Sequence, residues 1–185
     1  MKLATLGNGC FWCTEAIFKG LKGVEKVAPG YTGGSIENPT YKQICTGQTG
    51  HAEVIQITYN PIIINFEELL QAFFASHNST TLNRQGSDRG TQYRSAIFFH
   101  DEAQQEIAEK AKIDLDASNE WRDPIVTEVV ALEKFYPADN YHLDYFNQNR
   151  NQPYCFFVIR PKVESTPKSP QTKKVSFGDI FIFIN

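Results

Sequence analysis

Gly7-Asn8-Gly9-Cys10-Phe11-Trp12-Cys13-Thr14-Glu15 joins a short apolar run, Leu3-Ala4-Thr5-Leu6, to a stretch with Trp12, Ala16, Ile17, Phe18 and Leu21 at helical spacing. The run reads as a buried strand over 2–8, the spacing as a helix over 11–20. Cys10 therefore falls where a strand turns into a helix. Gly7 and Gly9 let the backbone turn tightly and leave room over the sulfur. The first N–H groups of a helix have no intrahelical partner and carry partial positive charge. A thiol placed there is expected to ionise more readily, and the thiolate is the form that attacks. Phe11 and Trp12 set two large rings beside it. A reactive thiol against an aromatic wall suits a small, partly apolar, sulfur-bearing substrate.

Outward from this stretch, Val24 to Tyr31 reads as a second strand, broken at Pro29-Gly30, and residues 32–50 as a glycine-rich loop. A long ordered loop in a compact domain is usually functional. Ala52 to Tyr59 alternates and stops at Asn60-Pro61, giving a third strand. Asn65 caps a helix with Phe66, Leu69, Leu70, Phe73 and Phe74 on one face, ending near His77. Residues 78–92 are polar and irregular, and Tyr93 to Phe99 is a fourth strand. The order β-α-β-β-α-β matches the ferredoxin-like split βαβ plait. The fold class is α+β with a mixed or antiparallel sheet. A doubly wound fold fits worse, because two consecutive strands have no helix between them.

Further elements follow: a helix capped by Asp101 to about Ser118, a strand over Val126 to Leu132, a short helix from Asp139 through Phe146, and a last strand over Cys155 to Ile159. After Lys162 the composition becomes linker-like, and Phe177 to Ile184 ends in an apolar, β-prone run. The organisation expected is one catalytic domain over 1–163 and an extension over 164–185.

With 185 residues, 41% of them hydrophobic, the chain is long enough for one domain with a substantial core. A net charge of −3 and a pI near 5.8 leave no basic footprint, which argues against a nucleic-acid partner. No apolar run approaches the roughly 20 residues of a membrane span, and the N-terminal run is too short for a secretory signal. A cytoplasmic protein is expected. Its four cysteines, at 10, 13, 45 and 155, then read as reactive thiols or core residues, not structural disulfides. A single Cys-x-x-Cys without a second pair or finger-spaced histidines argues against zinc.

Glu53 shares a strand face with Ile55 and Ile57. A carboxyl pointing inward without a cation keeps its proton to higher pH and can donate it. Tyr41 and Tyr93 offer hydroxyls, and Asp88 sits in a turn where it can orient a loop or bind a peptide main chain. His51 can pair with Cys10 as in thiol proteases, or simply brace its loop. Cys10 with Cys13 also has the spacing of a thiol–disulfide exchange pair. A non-catalytic peptide-binding module with a buried Cys10 is a third reading. The Gly7-x-Gly9 pair lacks the third glycine of a dinucleotide fingerprint.

Several pieces together resemble the type A peptide methionine sulfoxide reductases. They are Gly9-Cys10-Phe11-Trp12 with Glu15, Gly30-Tyr31 with Gly33-Gly34, Asn38-Pro39-Thr40-Tyr41, Gly50-His51-Ala52-Glu53, and Asp88-Arg89-Gly90-Thr91-Gln92-Tyr93-Arg94-Ser95. They stand in family order at family-like spacing between about residues 3 and 163. The resemblance implies reduction of methionine S-sulfoxide, in proteins or free, with no cofactor, by a monomer that thioredoxin recharges. It implies Cys10 as nucleophile, Glu53 as proton donor, Tyr41 and Tyr93 as hydrogen-bond donors to the sulfoxide oxygen, and Phe11 and Trp12 around the methyl group. Asp88 would shape the pocket and His51 support it. Cys155, then Cys13, are the candidates for resolving a Cys10 sulfenic acid, and Cys45 falls outside that chemistry.

Overall fold

A computed structural model describes residues 1–165. In chain order it contains β1 (Lys2–Asn8), α1 (Phe11–Phe18), β2 (Val24–Thr32), α2 (Tyr41–Ile44), β3 (Ala52–Tyr59), α3 (Phe66–Ala75), β4 (Arg84–Gln85), β5 (Asp88–Arg89), β6 (Ser95–Phe99), α4 (Glu102–Ala117), β7 (Glu128–Ala131), β8 (Tyr136–Pro137), α5 (Tyr145–Gln148) and α6 (Arg160–Ser165). The class is α+β. Six strands form one mixed sheet in the order β7-β6-β1-β3-β2-β8, and β4 pairs with β5 in a separate hairpin. Every pairing in the large sheet is antiparallel except β6 with β7.

The period of two decides what each face of β3 carries. Ile55 and Ile57 join Ala4, Leu6, Ile97 and the apolar residues of α1 and α3 in the main core. Ala52 and Val54 point the other way, to a smaller cluster with Ala96 and Phe98 that Leu132 and Phe135 cover. Both faces are thus shielded at the end of β3 where Glu53 sits. Helix α3 starts as its sequence announces: Asn65 accepts from the Glu68 N–H and the Glu68 carboxylate accepts from the Asn65 N–H, each at 2.8 Å.

Three expectations change. Strand β2 is not broken at Pro29, which pairs opposite Ile55. The Pro29 carbonyl accepts the Ala138 N–H, so its missing N–H falls on the side toward the two-residue strand β8, where little ladder is lost. Asp139 to Phe146 is not one helix. A 3-10 turn over Asn140–His142 gives way at Asp144, whose φ of 54° ends the run before α5. Cys155–Ile159 is not a strand but a wide π-helical turn that leads into α6. Its burial alternates at helical period, with Cys155 and Ile159 buried and Phe156 and Phe157 exposed, so tertiary packing overrides the β propensity of Phe-Phe-Val-Ile. The apolar run over 177–184 lies outside the described residues.

Candidate active site

The turn from β1 into α1 is built for close approach. A Cβ on Gly7 would lie 3.0 Å from the Glu53 carbonyl, and one on Gly9, where φ is +103°, 2.8 Å from the Gln85 side chain. The two glycines therefore let β3 and the β4–β5 hairpin close on the residue between helix and strand. Cys10 is the N-cap of α1, and its carbonyl accepts the N–H groups of Cys13 and Thr14. The Thr14 hydroxyl also donates to that carbonyl and to Asn8, whose amide donates to Ser76. The cap is fixed by residues on both sides of it.

Glu53 is 2% exposed, and its Oε2 accepts the Phe11 N–H at 3.1 Å. The acid is thereby tied to the residue that follows the thiol. Burial, and then the Cys10 charge, push its carboxyl well above the ordinary range, against the opposing pull of the Phe11 N–H. Burial and the Glu53 charge also raise the Tyr41 and Tyr93 hydroxyls, and Cys10 acts on Tyr93 too. Both remain proton donors facing the same charged groups.

Phe11 packs near Tyr31 and stacks with Tyr41. Trp12 lies flat on Tyr145, 3.8 Å between ring centroids and 7° between planes, and its Nε1–H donates to His142 Nδ1 at 3.0 Å. The Asp88 carboxylate accepts the Tyr154 hydroxyl at 2.8 Å, and that hydroxyl lies 4.0 Å from the Cys13 sulfur.

Cys10, Cys13 and Cys155 share one small buried cluster with Ile159, all as thiols, whereas Cys45 is exposed. A hydrogen bond between the Cys10 and Cys13 thiols raises Cys10, and burial raises it further. The same bond lowers Cys13, helped by the Lys162 charge and the Tyr154 hydroxyl. The Cys13 sulfur and burial thus act on Cys10 against the helix terminus. Burial also raises Cys155.

His51 is fully buried, and both its nitrogens are engaged by its own loop: Nδ1 accepts the Gly34 N–H at 3.1 Å and Nε2 donates to the Ile36 carbonyl at 2.7 Å. A Cβ on Gly34 would collide with His51 at 2.3 Å, which is why glycine stands there. His51 therefore braces the loop and has no nitrogen left for Cys10 or a substrate.

Sequence reading did not single out His142 or Tyr154. Both lie in the 139–165 segment, and only their partners in space reveal them. Glu15 recruits this segment: both its carboxylate oxygens accept the Asp144 N–H at 2.9 Å. Among the described residues no group of three or more His, Cys, Asp or Glu side chains is placed to hold a metal ion.

A thiol and an acid at one helix tip, under aromatic rings and beside further thiols, define a cysteine-based oxidoreductase. The family model described as "Peptide methionine sulfoxide reductase" matches residues 2–175. "Peptide methionine sulfoxide reductase MsrA" of Sulfolobus acidocaldarius is 53% identical over 169 residues, covering 91% of this chain and 95% of that protein. Yeast Mxr1 in reduced form superposes with a TM-score of 0.76 at 38% identity, over 83% of this chain and 88% of its own. Mxr1 has also been solved in complex with Trx2, with a TM-score of 0.53 at 29% identity over 78% of this chain and 84% of its own. The chain belongs to the peptide methionine sulfoxide reductase family.

Proposed function

We propose that this chain reduces methionine S-sulfoxide, in proteins or free, to methionine. The observation that carries the reading is the bond from the Phe11 N–H to Glu53, which sets a proton-bearing acid beside the Cys10 thiol. Cys10 attacks the sulfoxide sulfur as thiolate while Glu53 protonates the oxygen. Tyr41 and Tyr93 donate hydrogen bonds to that oxygen as it gains charge. Oxygen passes to Cys10 as a sulfenic acid, and methionine leaves. A second thiol then displaces water to form a disulfide. Cys155 is the first candidate for this step and Cys13 the second, and their burial in one cluster with Cys10 supports both. Phe11 and Trp12 enclose the methyl group and Asp88 shapes the mouth through Tyr154. His51 is a loop brace.

The solved complex of yeast Mxr1 with Trx2 supports thioredoxin as the reductant of that disulfide. The strand order β6-β1-β3-β2, all antiparallel, with α1 and α3 between strands, supports reading the scaffold as a split βαβ plait. We read residues 1–163 as the catalytic domain of a cytoplasmic monomer and 164–185 as an extension.

The hydrogen-bonded thiol pair favours a second reading, general thiol–disulfide exchange by Cys10 and Cys13. Incubating the protein with a racemic methionyl sulfoxide peptide and a dithiol separates the two. Loss of the S epimer alone is expected. Disulfide exchange with neither epimer consumed would establish the second reading.

A further inference from the structure

Tyr31 is 2% exposed, and its Oη meets no hydrogen-bond partner among the described residues. On β2 it stands directly opposite Glu53 of β3. Side chains opposed in this way across antiparallel strands share a face, with Cβ atoms about 4.5–5.5 Å apart. We propose that Tyr31 is a positioning residue for Glu53: its hydroxyl holds a buried water against the Glu53 carboxyl, on the side away from Cys10, and that water donates a hydrogen bond to the carboxylate left once the proton has gone to the sulfoxide oxygen. The inference rests on the proposed sulfoxide reduction.

The ring alone does not account for a tyrosine here. It packs in the main core, 5.7 Å from the Phe11 ring between centroids, and a phenyl group would fill the same space. An unpaired buried hydroxyl destabilises a fold, so Oη needs a partner that the chain does not itself supply. Buried waters serve polar groups left in this state, usually through about three hydrogen bonds each. A tyrosine hydroxyl both donates and accepts, so it can seat such a water from either side of the bond.

The surroundings fix what that water meets. Burial, and then the Glu53 charge, raise the Tyr31 hydroxyl, followed by Tyr141 and Asp139 at the 3-10 turn and Cys45 at the end of α2. Cys10 is not among the groups that act on it most, although it acts on both Glu53 and Tyr93. The Tyr31 hydroxyl therefore approaches the carboxyl from behind, with the thiol in front. A carboxylate has about four lone-pair sites, of which the Phe11 N–H takes one. The other groups facing Glu53 do not ease its ionisation: Cys10 on α1 and Asp88 on β5 both raise it, and the Tyr41 and Tyr93 hydroxyls are committed to the sulfoxide oxygen. A buried acid with a single N–H donor holds its proton too firmly to give it away readily. A water donor behind it stabilises the carboxylate and makes it the stronger acid.

The test compares the full chain with Tyr31→Phe. In the infrared, the protonated carboxyl band that Glu53→Gln removes should persist to a pH about one unit higher in Tyr31→Phe, the effect of one lost hydrogen bond to a charged group. In single turnover with a methionyl sulfoxide peptide, the maximal rate should fall about fivefold through the weaker acid. The half-saturating concentration should not change, because the hydroxyl does not touch the substrate, and the alkaline limb should move up with the band. A crystal structure of the wild type should show a water within hydrogen-bond distance of both Tyr31 Oη and the Glu53 carboxyl, and this readout serves if the variant does not fold. A band that titrates at the same pH in both proteins, a raised half-saturating concentration at an unchanged maximal rate, or a Tyr31 hydroxyl without that water overturns the inference. The infrared and crystallographic readouts need no turnover. If both come out as expected while the wild type consumes neither sulfoxide epimer, the sulfoxide reading falls and the tie between Tyr31 and Glu53 stands.

Discussion

The two halves of the site are held in different ways. Glu53 stands on β3 and Cys10 two residues beyond the end of its antiparallel neighbour β1, and the backbone ladder sets their separation. His142, Tyr154 and Cys155 stand on a segment with few backbone ties to the sheet. Side chains hold it: Glu15 to Asp144, Trp12 to His142 and Asp88 to Tyr154. The proposed division of labour follows. The reacting pair needs a rigid seat, whereas a resolving thiol has to travel to the sulfur it meets. A segment fastened by a handful of side-chain bonds can open at far less cost than a central strand.

Changing Glu53→Gln tests the rigid half and carries the largest expected effect. The amide still accepts the Phe11 N–H but gives up no proton, so the first-turnover rate should fall ~10²–10³-fold, the usual cost of losing a transition-state donor. Stability should move the other way. A carboxyl raised in the folded state contributes fully only below its unfolded pKa and loses that contribution as pH rises through the folded value. Melting temperatures of Glu53→Gln and wild type should therefore diverge as pH rises above the ordinary glutamate range, with the variant the more stable. Converging curves would mean that Glu53 is an ordinary surface-like acid.

The half fastened by side chains is tested next by Cys155→Ser. One methionine per chain should form at the wild-type rate, after which the enzyme stalls with a sulfenic acid on Cys10, and steady turnover with thioredoxin falls at least tenfold by the proposed route. A stall in Cys13→Ser instead assigns the resolving step to Cys13. The smallest effect belongs to Tyr154→Phe, which removes the bond to Asp88. It should cost about 1 kcal/mol, some 2–4 °C in melting temperature for a chain of this size. Hydrogen exchange should quicken over 139–165 but not over β1 and β3. Uniform quickening would erase the contrast between the halves.

The same contrast explains what the sequence made legible. The inward position of Glu53 follows from strict alternation with Ile55 and Ile57, and the place of Cys10 from an apolar run meeting a helical period. Both are local patterns. The 139–165 segment has none: Tyr141, Leu143 and Phe157 are exposed while His142 is fully buried. Its geometry depends on residues more than 60 positions away, and so the strand expected over Cys155 to Ile159 is a helix. The surroundings of Cys10 are legible only in part, for a related reason. The helix terminus is visible in the sequence, but the thiol-to-thiol hydrogen bond appears only once the turn is folded.

The most direct measurement is a rapid-quench single turnover with a methionyl sulfoxide peptide and no reductant, followed across pH for wild type and Glu53→Gln. One Cys10 thiolate and one Glu53 proton, acting on one sulfoxide, give a wild-type rate that falls as pH climbs past the raised pKa of Glu53. The Gln variant should then be slow throughout and keep only the rise from Cys10 ionisation, without that fall. Equal rates in the two proteins, or the same alkaline limb in both, would contradict a shared site for side chains 10 and 53.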